Sequence, residues 1–283
     1  MAQVHLPLAP QRGFGETSRT DTWWLEPMIT GLAFAVCIGW MTFAGLHYGM
    51  EGGAAAYYHG GYLSPAYSPE IWGPSHHAIF RLPQGTLAPA WWPDIPLMPF
   101  SPAVLILIIP AGFRLTCYYY RGFYYKSYWM SPPACAVGKP HNSYSGERSF
   151  PLIIHNLHRY LMYLAVAYLF VLAHDAYKGM FFESVPGSED FDTFGVGVGT
   201  LVLLLNVIFL SSYTIGCHCF RHVSGGFLDR ISTAPMRKKL YELSSFLNRN
   251  HMRAAWVSLL WVTFTDVYVR MCALGIWTDW RIL

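Results

Sequence analysis

Five stretches of about twenty mostly apolar residues, with most of the charge confined between them, leave this chain few ways to fold. A stretch of that length crosses the ~30 Å hydrocarbon layer of a bilayer as a helix rising about 1.5 Å per residue. The spans are expected at Met28–Tyr48, Ala103–Tyr120, Pro151–Ala173, Val196–Cys217 and Ala254–Leu274. Only 12% of the 283 residues are charged and 53% are hydrophobic, against roughly 25% charge in soluble domains. The expected fold class is therefore all-α, an integral membrane bundle of five transmembrane helices. Residues 1–27 form an N-terminal segment and residues 28–283 the transmembrane domain, with residues 49–102 as an outer loop rich in Gly, Pro, Tyr and Trp. Within that loop Trp91 and Trp92 read as interfacial. The first span is too long, and follows too long a mixed lead, to be a cleaved secretory signal. Gly52-Gly53 and the glycines between Gly195 and Gly199 suit turns or close helix approach and match no nucleotide-binding fingerprint.

Lys and Arg are retained on the cytoplasmic side of a membrane protein, so the loops set its orientation. The loop after the second span carries Arg121, Lys126, Lys139 and Arg148 against Glu147, and the loop after the fourth holds seven basic residues against Asp229 and Glu242. Both belong inside. The loop after the third span carries Asp175, Glu183, Glu189, Asp190 and Asp192 against Lys178 and belongs outside. The N-terminus is then cytoplasmic and the C-terminus outside, in the cell inner (plasma) membrane. A formal charge of +3 without a basic domain argues against nucleic acid as a partner.

Soft ligands gather on the cytoplasmic side. Cys117 lies one turn before Arg121, His158 directly precedes Arg159, and Cys217 with His218 lies one turn before Arg221. Three helix ends thus present thiols and imidazoles at one depth, as a shared site requires. His155 and His158 share a helix face, as do His218 and His222. Cys135 sits on the Pro132-Pro133 loop, which can fold back beneath the bundle. Two thiolates on one iron and two imidazoles on the other make a Rieske-type [2Fe–2S] centre, whose raised potential suits electron delivery to quinone. A rival is haem b, which needs only two axial His, such as His158 with His218, or His47 with His174. Cys37 and Cys272 read as buried small hydrophobes, and Cys219 and His155 as bystanders. Aromatic and polar residues of the inner rim, Tyr119, Arg159 and Tyr160 among them, can surround a quinone headgroup, although an aromatic belt explains most of the Tyr. Arg114 and Asp266 fall near mid-depth, where charge is costly. They neutralise one another, or Asp266 pairs with Arg270 at i,i+4, or they serve a proton route or contact a quinone carbonyl, or they line a transporter's substrate path.

Four segments in order carry a resemblance: Arg114-Leu-Thr-Cys-Tyr-Tyr-Tyr-Arg121, Ser131-Pro-Pro-Ala-Cys-Ala-Val137, Asn156-Leu-His-Arg-Tyr160, and Cys217-His218 followed by Arg221-His222. From about Ala103 to the C-terminus the chain resembles the single-chain membrane anchor of actinobacterial succinate dehydrogenase, most closely that of the mycobacterial type 1 branch. The resemblance implies a complex II of the tricarboxylic acid cycle. In it a flavoprotein oxidises succinate and an iron–sulfur subunit passes electrons to this anchor, which reduces quinone, either menaquinone or ubiquinone. It also implies a membrane-held Rieske-type cluster in place of the haem of other complex II anchors. The preferred ligands are Cys117 and Cys135 on one iron with His158 and His218 on the other, and Cys217 and His222 in reserve. Succinate oxidation itself is not carried by this chain.

Overall fold

The computed structural model describes residues 13–46, 56–73, 75–81, 101–140, 146–184 and 190–283. His47, Gly52-Gly53, Trp91-Trp92 and the first twelve residues lie outside them. The long helices are α1 (Leu25–Leu46), α2 (Pro102–Leu115), α4 (His158–Lys178), α5 (Val198–Ile215) and α8 (His251–Ala273). Three further helices lie between them: α3 (Tyr118–Ser127), α6 (His218–Gly225) and α7 (Pro235–Asn248).

Sequence explains the outward faces. On α1, Met28, Ile29, Leu32, Val36 and Phe43 are exposed, while the small Gly31, Ala44 and Gly45 are buried against neighbours. Bulk points outward and small residues permit close approach, the packing logic of helices in lipid. Helix α8 inverts the soluble pattern in another way, burying Ser258, Thr265, Asp266 and Arg270 and exposing Val257, Leu260 and Phe264.

Among the described residues, three helical segments are long and apolar enough to cross a membrane: Leu25–Leu46, Leu152–Lys178 and Val198–Ile215. A fourth is gained if α2 and α3, bent by 81° across a short break, are counted as one. The expectation of five spans is met only to that extent. Its second span breaks instead of continuing to Tyr120. Thr116 Oγ1 donates to the Gly112 carbonyl (2.8 Å), and Cys117 turns extended at φ −67°, ψ 133°. Pro110 inside α2 removes a further backbone donor. The fifth expected span exists as α8, but Ser258, Thr263, Thr265, Asp266 and Arg270 make it too polar to count by composition alone.

The two ends of the bundle differ. At one end, called here the hairpin end, lie β1 (Tyr58–His59) with β2 (Tyr62–Leu63), β3 (Trp72–Gly73) with β4 (Phe80–Arg81), and β5 (Phe181–Glu183) with β6 (Phe191–Phe194). The buried carboxylates there find partners, while His76 Nε2 is left without one among the described residues. Asp266 accepts from Trp40 Nε1 (2.8 Å) and Ser64 Oγ (2.5 Å) and pairs with Arg270 Nε (3.4 Å). Asp279 accepts from Tyr62 and Tyr268 hydroxyls and from Gly199 N–H at the start of α5 (2.8 Å), a charge well placed at a helix N-terminus. Gly199 is required here, because a Cβ would lie 2.5 Å from the Tyr62 ring. At the opposite end α1 begins, α2 turns into α3, α5 turns into α6, and α4 and α8 start.

Candidate metal centre

That second end holds the thiols and imidazoles. Cys117 follows α2 and Cys217 follows α5, and both take nearly the same extended backbone, φ −67°, ψ 133° and φ −65°, ψ 140°. Each leaves a membrane helix and opens a short helix, so each sulfur sits at a corner that the break itself creates. Both cysteines are 2% exposed. His158 is the first residue of α4 and His251 the first of α8. His158 Nε2 lies 3.1 Å from Cys217 Sγ, and His251 Nε2 lies 3.8 Å from Cys117 Sγ.

The surroundings orient these rings. Thr116 Oγ1 holds His158 Nδ1 at 2.9 Å, and Phe113 stacks on the same ring at 4.8 Å. This leaves Nε2 directed at the thiol, the arrangement in which a partner on one ring nitrogen fixes the other as the ligand atom. His251 stacks on Tyr213 at 5.0 Å and meets Tyr119 edge-on at 5.1 Å. Its Nδ1 is buried without a hydrogen-bond partner, as is the Tyr213 hydroxyl. Such orphaned atoms are rare and costly in a finished interior.

Cys219 joins the group: ligand atoms of His158, Cys217 and Cys219 lie within 4.8 Å of one another. The hydrogen bond from Cys217, with Arg159 alongside, lowers the Cys219 thiol to about 7. The same bond, together with burial, pushes Cys217 up.

The sites expected from sequence fall out as follows. The structure brings together Cys117, His158 and Cys217 but does not bring Cys135 or His218 to them. Cys135 is exposed on its loop, where its carbonyl accepts from Arg19 (2.9 Å), and His218 is exposed in the first turn of α6. His222 is exposed too, one turn on, and its Nδ1 lies 3.1 Å from Arg159 Nη2. His155 Nε2 meets the Tyr124 hydroxyl at 3.0 Å. His174 is exposed beside Asp175, 3.9 Å away. The residue missed by sequence reading is His251. Its signal was position: it stands just before the last apolar stretch, at the depth of Cys117 and His158.

Arg114 and Asp266 do not neutralise one another. Asp266 belongs to the hairpin end with Arg270, in the i,i+4 pairing. Arg114, buried, donates to the Tyr120 hydroxyl (2.7 Å), Ser258 Oγ (3.0 Å) and the Ala255 carbonyl (3.1 Å).

Beside this centre a cleft of about 880 Å³ opens between the start of α1, α3, the proline loop and the start of α8. Trp23, Tyr118, Tyr119, Phe123 and Trp256 line it together with the charged Arg19, Asp21, Glu26, Arg121, Lys126 and Lys139 and with Cys135. Arg159 and Tyr160 do not line it; both lie on the first turn of α4, and Tyr160 is 66% exposed.

The sequence pattern of the actinobacterial succinate dehydrogenase subunit SdhC matches residues 25–275 of this chain. The chain belongs to that family. Among solved structures, the Mycobacterium smegmatis Sdh1 complex in the apo form contains a chain 36% identical to this one, with a TM-score of 0.78 and full coverage of both chains. No match is found among curated proteins. The molecule is thus a membrane subunit of a succinate dehydrogenase, and other subunits of that complex are its partners.

Proposed function

We propose that this subunit relays electrons from an iron–sulfur subunit to quinone through a Rieske-type [2Fe–2S] cluster held by Cys117, Cys217, His158 and His251. The observation that carries the reading is the gathering, at one end of the bundle, of two buried thiols, the buried imidazole of His251 and the half-buried imidazole of His158, supplied by four different turns of chain. Two Cys and two His form the donor set of such a cluster. The residues fit it further in that Thr116 occupies the non-ligating nitrogen of His158, leaving Nε2 for the site. This set replaces Cys135 and His218, which lie exposed elsewhere, with Cys217 and His251. Haem b has less support, because it makes no use of the two buried thiols.

When bound, the cluster supplies one-electron transfer at a potential above that of all-thiolate clusters. The chain's own residues do the rest. Thr116 and Phe113 hold the His158 ring, and Tyr213 and Tyr119 clamp that of His251. Their packing keeps water from the donors. The aromatic cleft is the proposed quinone site, menaquinone or ubiquinone, since Tyr119 touches both its wall and the His251 ring. Of the residues expected to bind quinone, Tyr119 is kept, and Arg159 and Tyr160 are left out.

In this reading α1, α2, α4, α5 and α8 all cross the membrane. With 23 residues, α8 is long enough for ~30 Å of hydrocarbon; Asp266 and Arg270 face inward, Arg253 is exposed in its first turn at the thiol end, and Val257, Leu260 and Phe264 face out. The thiol end lies in the cytoplasm, with its basic loops facing the partner flavoprotein and iron–sulfur subunits.

Purified complex tests the reading. A Rieske-like EPR signal that disappears when His158 and His251 are both replaced by Ala is expected, with succinate oxidation by a soluble dye retained and quinone reduction lost. A haem Soret band without that signal, or quinone reduction surviving in the double variant, would reject it.

A further inference from the structure

Arg114, expected near mid-depth from the sequence, lies instead in the last turn of α2 beside the thiol end, and it remains unaccounted for. Arg114 is 7% exposed, and every hydrogen bond it makes goes to a neutral oxygen: a phenol, a hydroxyl and a carbonyl. Among the described residues no carboxylate pairs with it, in contrast to Arg270, which has Asp266. A buried, unpaired guanidinium within a membrane helix is costly and persists where it serves a purpose.

Its position suggests which. The guanidinium carbon lies 4.8 Å over the Tyr213 ring, Tyr213 stacks on His251 at 5.0 Å, and His251 Nε2 faces Cys117 Sγ. Hydrogen bonds to three oxygens fix the charge in place, so it cannot swing away. By formal count, a [2Fe–2S] core of charge +2 with two thiolates and two neutral imidazoles is uncharged when oxidised and carries one negative charge when reduced.

We infer that Arg114 is the counter-charge of the centre, fixed one ring behind His251 so that it stabilises the electron accepted from the iron–sulfur subunit and raises the reduction potential. The inference rests on the cluster reading above. It assigns Arg114 neither to a substrate path nor to contact with quinone. A fixed positive charge in low dielectric favours the more negative redox state, and net charge around the cluster is one of the levers on its potential.

The test is an EPR-monitored redox titration of the whole complex carrying the wild-type anchor, Arg114→Gln, Arg114→Lys, or citrulline introduced at position 114. Citrulline keeps the shape and most donors but loses the charge. The midpoint potential is expected to fall in the Gln and citrulline variants and stay near wild type with Lys, with iron content unchanged throughout. An unchanged midpoint with citrulline overturns the inference while leaving the cluster intact. Assembly that fails with citrulline but survives with Lys makes the charge structural, and overturns it too. A wild-type complex without cluster iron or signal instead rejects the reading on which it rests.

Discussion

The two ends of this bundle bury polar groups in opposite ways. At the hairpin end the carboxylates are matched: Asp266 has Trp40, Ser64 and Arg270; Asp279 has Tyr62, Tyr268 and the first turn of α5; Asp175 has Ser68 and His77. At the thiol end, soft donors crowd together and, among the described residues, His251 Nδ1, His155 Nδ1 and the Tyr213 hydroxyl find no partner, where the hairpin end leaves His76 Nε2. Satisfied groups brace a fold. Groups left wanting partners in a tight interior mark a place where something else belongs.

If that contrast is right, damage at the two ends should separate. The largest effect is expected from Cys217→Ser. Loss of one thiolate should remove cluster iron and abolish quinone reduction, with thermal stability less affected than activity; metal analysis beside a melting curve measures both. Asp266→Ala should do the reverse. It strands Arg270 in the interior, at a cost of about 3–5 kcal/mol, seen as a large fall in Tm, while the complex that does fold keeps its EPR signal. Asp279→Ala should repeat this on a smaller scale, about 1–2 kcal/mol for a lost helix cap.

A gentler perturbation of the hairpin end is acid. Burial lowers His76 to about 3, with His77, Lys178 and Arg81 acting in the same direction and Asp175 against them. The folded state therefore stays unprotonated where the unfolded chain binds a proton. Stability should be full above about pH 6.5 and decline as the pH falls from there towards 3. His76→Phe, which keeps the stacking on Phe191 (4.0 Å), should flatten that dependence of Tm on pH. The smallest effect is expected from Cys219→Ser: if Cys219 only flanks the centre, iron content and signal persist. Loss of iron there would move Cys219 into the ligand set and blur the contrast.

How much of this was legible in the sequence follows the same division. Helices α1, α5 and α8 lie within three residues of the expected starts, because apolar length is a local property. The break at Thr116–Cys117 was missed, since a threonine bonding back to its own helix and an extended cysteine leave no trace in hydropathy. The depth of Cys117, His158 and Cys217 was readable from the arginines that follow them. The depth of His251, just before the last apolar stretch, was readable in the same way but overlooked; its pairing with Cys117, 134 positions away, is made only by packing. Cys135 was attractive for its stiff proline loop, yet the loop leaves it exposed. Asp266 with Arg270 was readable, being one turn apart. Arg114's attachment to α8 through Ala255 and Ser258 was not.

The spread of the four proposed ligands along the chain also bears on biogenesis. Cys117 is made early and His251 only after α7, so a chain emerging from the ribosome cannot offer a complete cage until its last helix is under way. Were these residues to hold the proposed cluster, iron delivery would have to wait until α8 is being made and would take place at the thiol end of the bundle.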